Sequence, residues 1–366
     1  MKKRILIVLE AGTALPSGVI RGSIYREYFR EAGYEVCFVH RASPALCTLI
    51  DVPPVGLRLL MNAGLRWCLE KIQSAYCLVS GLILARRAKR YDVVYMSKVT
   101  SKRFVERLRK STTARLVLDF GDAVWLRGKA DSFDRVLQTV DAVTTDNEIT
   151  AAYVRRINAQ CTVIPDCPQV EAFDRRRTSK SASSPVVTIG WIGSPSTLYN
   201  LYLIWEPLEL LFARHDNLRL RLVGTGTDFL KRIPPFEHIK YSCRACYTQS
   251  EMIEEVSKMD IGLFPLYNVE ASRVRGILKA VVYMAGEAAV VCSPVGQCAD
   301  LIQDGVNGFL ANTPEEWVQK LERLIGDTDL RRNFARHGLE LVRRHFTVAQ
   351  SFNKLISVLD PEAAIK

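Results

Sequence analysis

Three groups of residues have the types and spacing to handle charge. Gly190-Trp191-Ile192-Gly193-Ser194-Pro195-Ser196-Thr197 follows an apolar run and precedes a helical one. A glycine lets a ligand approach the backbone, and a helix start offers free N–H groups and a positive dipole end. Ser194, Ser196 and Thr197 add hydroxyl donors. That is the chemistry of a phosphate cradle, and equally of an ordinary helix cap. Arg275 and Lys279 stand four apart in a stretch with helical spacing, so they share a face. They could clamp a diphosphate through charge-assisted contacts worth about 1.5–3 kcal/mol each, or simply form a solvated basic face. Asp119-Phe120-Gly121-Asp122 closes another apolar run. Two carboxylates there could orient hydroxyls or accept a proton, or build a turn. Lys98, after the run Asp92–Met96, points toward the same edge, and Gly18 and Arg21 follow the first apolar run, where they could meet an anionic group.

The elements that must position these groups alternate along the chain. Strands are expected at Arg4–Leu9, Tyr34–His40, Asp92–Met96, Ala114–Asp119, Asp141–Asp146 and Cys161–Ile164, with helices at Val19–Ala32, Ser101–Lys110, Phe133–Val140 and Glu148–Ile157. A polar, Ser-rich, basic stretch at 169–185 reads as a linker. A second series follows: strands at Val187–Ile192, Leu218–Val223 (closed by Gly224), Ile261–Leu266 and Ala288–Cys292. Helices are expected at Leu198–Arg214, Ser250–Lys258, Arg275–Ala285, Pro314–Leu324, Leu330–His345 and Val348–Leu359. Strand and helix in alternation predict parallel sheets, covered on both faces, in two Rossmann-like domains.

A chain of 366 residues suits two such domains. Its net charge of +11 is uneven: residues 1–168 hold 26 Lys and Arg against 16 Asp and Glu, the rest 24 against 23. A basic first half suits an acidic partner such as a membrane surface, a lipid phosphate or an acidic glycan, or a solvated surface that aids solubility. It carries no nucleic-acid-binding motif, and no nucleic-acid partner is expected. The Cys243/Cys246 pair stands alone, and the scattered cysteines suit a reducing cytosol. Residues 55–90 are unusual. Apolar residues cover most of a helix at 57–72, Ser74–Ala85 is almost wholly apolar, and Arg86, Arg87, Lys89 and Arg90 follow. No uninterrupted apolar run is long enough to span a membrane. The segment reads either as a pair of core helices or as an interfacial element on anionic lipid.

The block Ile261–Ala311 resembles the donor-sugar region of retaining GT-B glycosyltransferases of the large nucleotide-sugar family (glycosyltransferase family 4-like, group 1), where "K…YMA.G.PVV.S..G…E.V.DG.NGFL" recurs. GWIGSPST and LRLRLVGTG resemble the same lobe. The segment SGVIRGSIYREYFREAGYEV, LVLDFGDAVWL and DAVTTDNEITAAYVRRINAQCTVIP resemble its acceptor lobe. The resemblance implies two Rossmann-like domains facing across a cleft. Residues 1–168 would be the acceptor side and 186–345 the donor side, with the helix in 346–366 crossing back to the first. It places Gly193, Ser194, Ser196, Thr197, Gly224, Arg275, Lys279 and Glu270 at the donor, Asp122, Lys98 and Asp119 at the reaction, and Gly18 and Arg21 on the acceptor side. The implied activity is transfer of a sugar from a nucleotide diphosphate sugar to a hydroxyl of a lipid-linked glycan or surface polysaccharide, with retention and without metal or other cofactor. The implied place is the cytoplasm, on the inner face of the membrane if residues 55–90 bind lipid. The chain departs from the pattern at Val274 and Val282, where glutamates are usual, at Gly121 for an acidic residue, and at Glu287 and Ala289 for Gly and Pro. Those departures leave a second reading open: a non-catalytic protein of this fold that binds a glycan, a lipid or a partner enzyme.

Overall fold

The computed structural model describes residues 2–12, 16–51, 62–128, 130–175, 186–224, 238–244 and 248–363. The chain divides into two compact units, Met1–Asp166 with Val348–Lys366, and Cys167–Thr347.

The first unit is built on β1 (Arg4–Leu9), β2 (Glu35–His40), β3 (Val93–Ser97), β4 (Arg115–Asp119), β5 (Ala142–Thr145) and β6 (Cys161–Val163). All pair in parallel, in the order β2-β1-β3-β4-β5-β6. Ile5 to Val8 and Leu116 to Leu118 are fully buried, as strands covered on both faces must be. The strand order reverses between β1 and β3, so ligands are expected at the carboxyl ends there.

Two helical expectations change. Val19–Ala32 is three pieces: Pro16–Ile20, a 3₁₀ turn Ser23–Tyr25 and Arg26–Glu31. Gly22 sits at the break, where a Cβ would lie 2.6 Å from Leu9. The segment read either as a pair of core helices or as an interfacial element is one 26-residue helix, Ala63–Ala88, capped by Asn62; residues 52–61 lie outside the described residues. Gly81, Leu84, Ala85 and Ala88 are its buried side, while most of its apolar residues face solvent. It is long and apolar enough to cross a membrane.

The second unit repeats the scheme with β7 (Val187–Ile192), β8 (Leu218–Val223), β9 (Tyr241–Arg244), β10 (Ile261–Phe264), β11 (Ala289–Cys292) and β12 (Phe309–Leu310). The order is β12-β11-β10-β7-β8-β9, all parallel. It is the doubly wound dinucleotide-type order, reversing between β7 and β10. Side chains alternate between two cores, one per face: Ile189, Trp191, Ile261 and Leu263 in one, Ile192, Phe264, Val290 and Cys292 in the other. Cys243 lies on β9, a strand the sequence reading did not expect, and packs against the core; Cys246 lies outside the described residues. Within the stretch read as a linker, Val170–Arg175 is a helix that buries Val170 and Phe173 in this unit. Its apolar spacing was masked by the Ser and Arg that follow it. Residues 176–185 lie outside the described residues.

Candidate functional site

In the second unit the site is built at the reversal of strand order. The loop leaving β7 carries Gly193, Ser194 and Thr197 and continues not into an α-helix but into a 3₁₀ helix, Pro195–Ile204, followed by the α-helix Trp205–Arg214. Asn200 fixes this loop. It is 2% exposed, donates to the Thr197 carbonyl at 2.8 Å and accepts from the Tyr267 amide at 3.3 Å. The loops after β7 and β10 are therefore tied to each other. Tyr199 stacks on Tyr267 with ring centres 5.9 Å apart. Tyr283 does the same for the strands beneath. Its hydroxyl accepts from the Ile192 amide at 2.8 Å and donates to the Leu263 carbonyl at 3.2 Å.

Arg275 and Lys279 do not share a helix face. The helix begins at Leu278, and Arg275 lies in the turn before it. Gly276, a poor helix former, interrupts the spacing, and Gln297 donates to the Arg275 carbonyl at 3.3 Å. The two cations are nonetheless close. Burial first, then Arg275, pulls the Lys279 ammonium down to about 7. Lys279 reaches over the Trp191 ring, 4.3 Å from its centre, to Thr197 Oγ1 at 3.4 Å. A Cβ on Gly193 would lie 2.6 Å from its Nζ. The loop 193–197 carries no basic residue of its own, and Lys279 supplies one. The start of the helix Leu278–Ala285 has no side-chain cap, so its first N–H groups add a second anion-attracting element. Arg275 Nε is buried without a hydrogen bond. A diphosphate would satisfy each of these groups.

The loop Ser293–Gly296 buttresses this arrangement. Ser293 accepts from the Leu266 amide at 2.9 Å. Gly296 has φ +56°, and a Cβ there would lie 2.3 Å from the Arg273 carbonyl oxygen. Glu270 is exposed at the start of the four-residue helix Glu270–Arg273. Gly224, φ +90°, ends β8. The side chain of Ser196 lies outside the described residues. Val274 and Val282 are both buried, so neither position offers a carboxylate to a ribose.

In the first unit the expected residues split into two layers. Lys98 and Asp122 pair at 2.9 Å at the open edge, with Lys98 in the left-handed region at φ +59°. Asp119 is not available there. It is 2% exposed, and its oxygens accept from Arg21 and Thr144 at 2.8 and 2.7 Å and from Ser97 at 3.2 Å. Arg21, expected to face a ligand, is likewise buried. It lies 2.9 Å from Asp166 and 3.7 Å from Asp146, and the Tyr95 hydroxyl donates to its carbonyl at 3.1 Å. The reason is electrostatic: three carboxylates at adjacent strand ends need a buried cation. Burial opposes the charge on Arg21, but Asp119, Asp166 and Asp146 outweigh it and raise the Arg21 pKa well above its ordinary value. Burial pushes Asp146 up to about 7 against the pull of Arg21, and pushes Asp166 upward too. Asp146 and Asp166 are not among the residues singled out from the sequence, though Asp146 ends an expected strand and Asp166 directly follows Pro165. Gly121 is explained by the same cluster, since a Cβ there would sit 2.8 Å from the Asp146 carboxyl carbon. Gly18 is buried beside Gly22.

Residues 185–327 match the model of a family described as glycosyl transferases group 1. The fold is that of solved structures over nearly their whole length. HepE of Anabaena, in complex with UDP-glucose, superposes with a TM-score of 0.70 at 14% identity, covering 98% of this chain and 100% of that one. A glycosyltransferase from Rickettsia africae gives 0.71 at 15% identity, covering 100% and 99%. The sucrose-phosphate synthase of Thermosynechococcus elongatus gives 0.66 at 13% identity, covering 99% and 100%. The protein has the GT-B fold, and its second unit is similar to the group 1 glycosyl transferases over residues 185–327. No curated protein sequence matches it. The match lies within the unit that carries Lys279 and ends at residue 327, before the helix Thr328–His345.

Proposed function

We propose that this GT-B protein is a metal-independent, retaining glycosyltransferase. It would move a sugar from a nucleotide diphosphate sugar to a hydroxyl of a lipid-linked glycan or surface polysaccharide. The observation that carries this reading is Lys279, drawn over Trp191 to the 193–197 loop beside Arg275. In the reaction the bond from the anomeric carbon to the diphosphate oxygen breaks, one to the acceptor oxygen forms, and the acceptor hydroxyl gives up its proton to the departing diphosphate. Negative charge grows on the departing diphosphate, and fixed cations there stabilise the transition state more than the ground state. Neighbours solved with UDP and UDP-glucose support a uridine donor. Lys98 and Asp122 are the groups at the first unit's open edge that could orient an acceptor hydroxyl.

The test is a thermal-shift screen of UDP, GDP and ADP, followed by slow hydrolysis of the matching nucleotide sugar without acceptor and in the presence of EDTA. A shift with one nucleotide and EDTA-resistant hydrolysis are expected. The buried Val274 and Val282 favour the non-catalytic reading instead, and no response to any nucleotide while glycan or membrane binding persists would support it.

A further inference from the structure

The first unit holds a cavity of about 420 Å³ that the sugar-transfer reading does not use. It lies among Glu10, Arg41, the middle of the helix Ala63–Ala88 and the helix Lys102–Ser111. Arg41 is satisfied by Glu10, donating from Nε at 2.8 Å. Arg103 and Arg107 also line the cavity, one helical turn apart on a shared face, and neither makes an ion pair among the described residues. The cavity therefore carries an uncompensated charge of two guanidinium groups, the side chain best shaped for phosphate. Gln73 Oε1 is buried there with no donor, an acceptor that a headgroup hydroxyl would satisfy.

The cavity wall continues into hydrocarbon. Leu78 lines it and is 55% exposed. Trp67, Ile72, Val79, Leu82 and Ile83 extend the same apolar surface along the helix, each more than 40% exposed. Large exposed apolar faces on soluble domains mark contact surfaces. Arg86, Arg87, Lys89 and Arg90 follow on the exposed end. The helix cannot cross a bilayer while Leu84, Ala85 and Ala88 remain in the first unit's core. It can lie in the interface, apolar side down, with basic residues at headgroup level.

We propose that this surface is a docking site for an anionic membrane lipid. Arg103 and Arg107 would take the phosphate in the cavity, and the helix Ala63–Ala88 would take the acyl chains. The site lies wholly in the first unit and does not depend on the donor reading.

The test is co-sedimentation of the full chain with phosphatidylcholine vesicles, with and without phosphatidylglycerol, and with glycerol phosphate as soluble competitor. Binding only to the phosphatidylglycerol vesicles is expected. A basic residue at the surface contributes about fivefold in affinity, so Arg103→Ala with Arg107→Ala should weaken binding about 30-fold. Leu82→Ser with Ile83→Ser, both on the exposed face, should abolish it. Thermal unfolding and nucleotide response of these variants should match the parent, which separates loss of lipid binding from misfolding and from failure of the donor reading. Equal binding to neutral vesicles, no effect of the arginine pair, or binding of glycerol phosphate without vesicle binding would each overturn the proposal. So would a dimer in sedimentation that the Leu82/Ile83 variant dissolves, since a second copy would then be the occupant.

Discussion

At the scale of single residues, two titrating groups tie the structure to measurable pH behaviour. Lys279 has its pKa lowered to about 7 by burial and by Arg275. A diphosphate bound beside it would favour the charged form and raise that pKa, so binding takes up a proton above pH 7. Nucleotide affinity should then fall as pH rises past about 7, by at most tenfold per unit. Calorimetry in buffers of different ionisation enthalpy would show the uptake, and Lys279→Ala should remove both the slope and about 10- to 100-fold in affinity. Flat binding across pH 6–9 would place the diphosphate elsewhere. Asp146 runs the other way. An acid whose folded pKa is raised to about 7 holds its proton in the native state while the unfolded chain has released it. Stability should therefore fall between about pH 4 and pH 7, by no more than about 1.4 kcal/mol per unit. Asp146→Asn should flatten that part of the curve in denaturant titrations, because a neutral side chain needs no proton to stay buried beside Asn147.

At the scale of elements, one departure from the sequence pattern falls where the backbone favours glycine. Glu287 has φ +56°, the turn after the helix Leu278–Ala285, where glycine is the residue without strain. A non-glycine residue there costs about 1–2 kcal/mol. Glu287→Gly should raise stability by about 1 kcal/mol in urea unfolding, and a loss would mean that the Glu287 side chain outweighs the strain. The sheets were legible because parallel strands are nearly continuous apolar runs, as Ile5 to Val8 and Leu116 to Leu118 are. The loop 193–197, Arg275 and Lys279 stand out as candidates from residue type alone. Their true relation was not, because Lys279 acts across 82 residues on Thr197, and no local spacing encodes that. Asp119 and Arg21 were read as ligand-facing for the same reason. Their partners, Asp146 and Asp166, are brought in by strands that pair only in three dimensions. The helix Ala63–Ala88 was ambiguous in principle, since an apolar face buried in protein and one awaiting lipid have the same sequence.

At the scale of the whole molecule, the first unit is assembled from both ends of the chain. The helix Val348–Leu359 buries Val348, Phe352, Leu355, Val358 and Leu359. Phe352 meets Phe29 edge to face with centres 5.0 Å apart. Asp360 pairs with Lys3 at 2.9 Å and accepts from Tyr34 at 3.2 Å, and Arg115 donates to the Val358 carbonyl at 3.0 Å. Five large or medium apolar side chains at about 1.5–3 kcal/mol each are comparable with the whole stability of a domain, about 5–15 kcal/mol. The second unit has its own two cores, and neither draws on residues beyond Phe346. A chain ending at Thr347 should therefore lose the first unit and keep the second. Limited proteolysis should degrade residues 1–166 and leave a resistant fragment of about 167–347. That fragment should still be stabilised by the nucleotide that shifts the full chain, by about 2.7 kcal/mol at a hundred times its Kd. Full resistance of the shortened chain would show that the returning helix is dispensable. Loss of both units together would show that their stabilities are coupled.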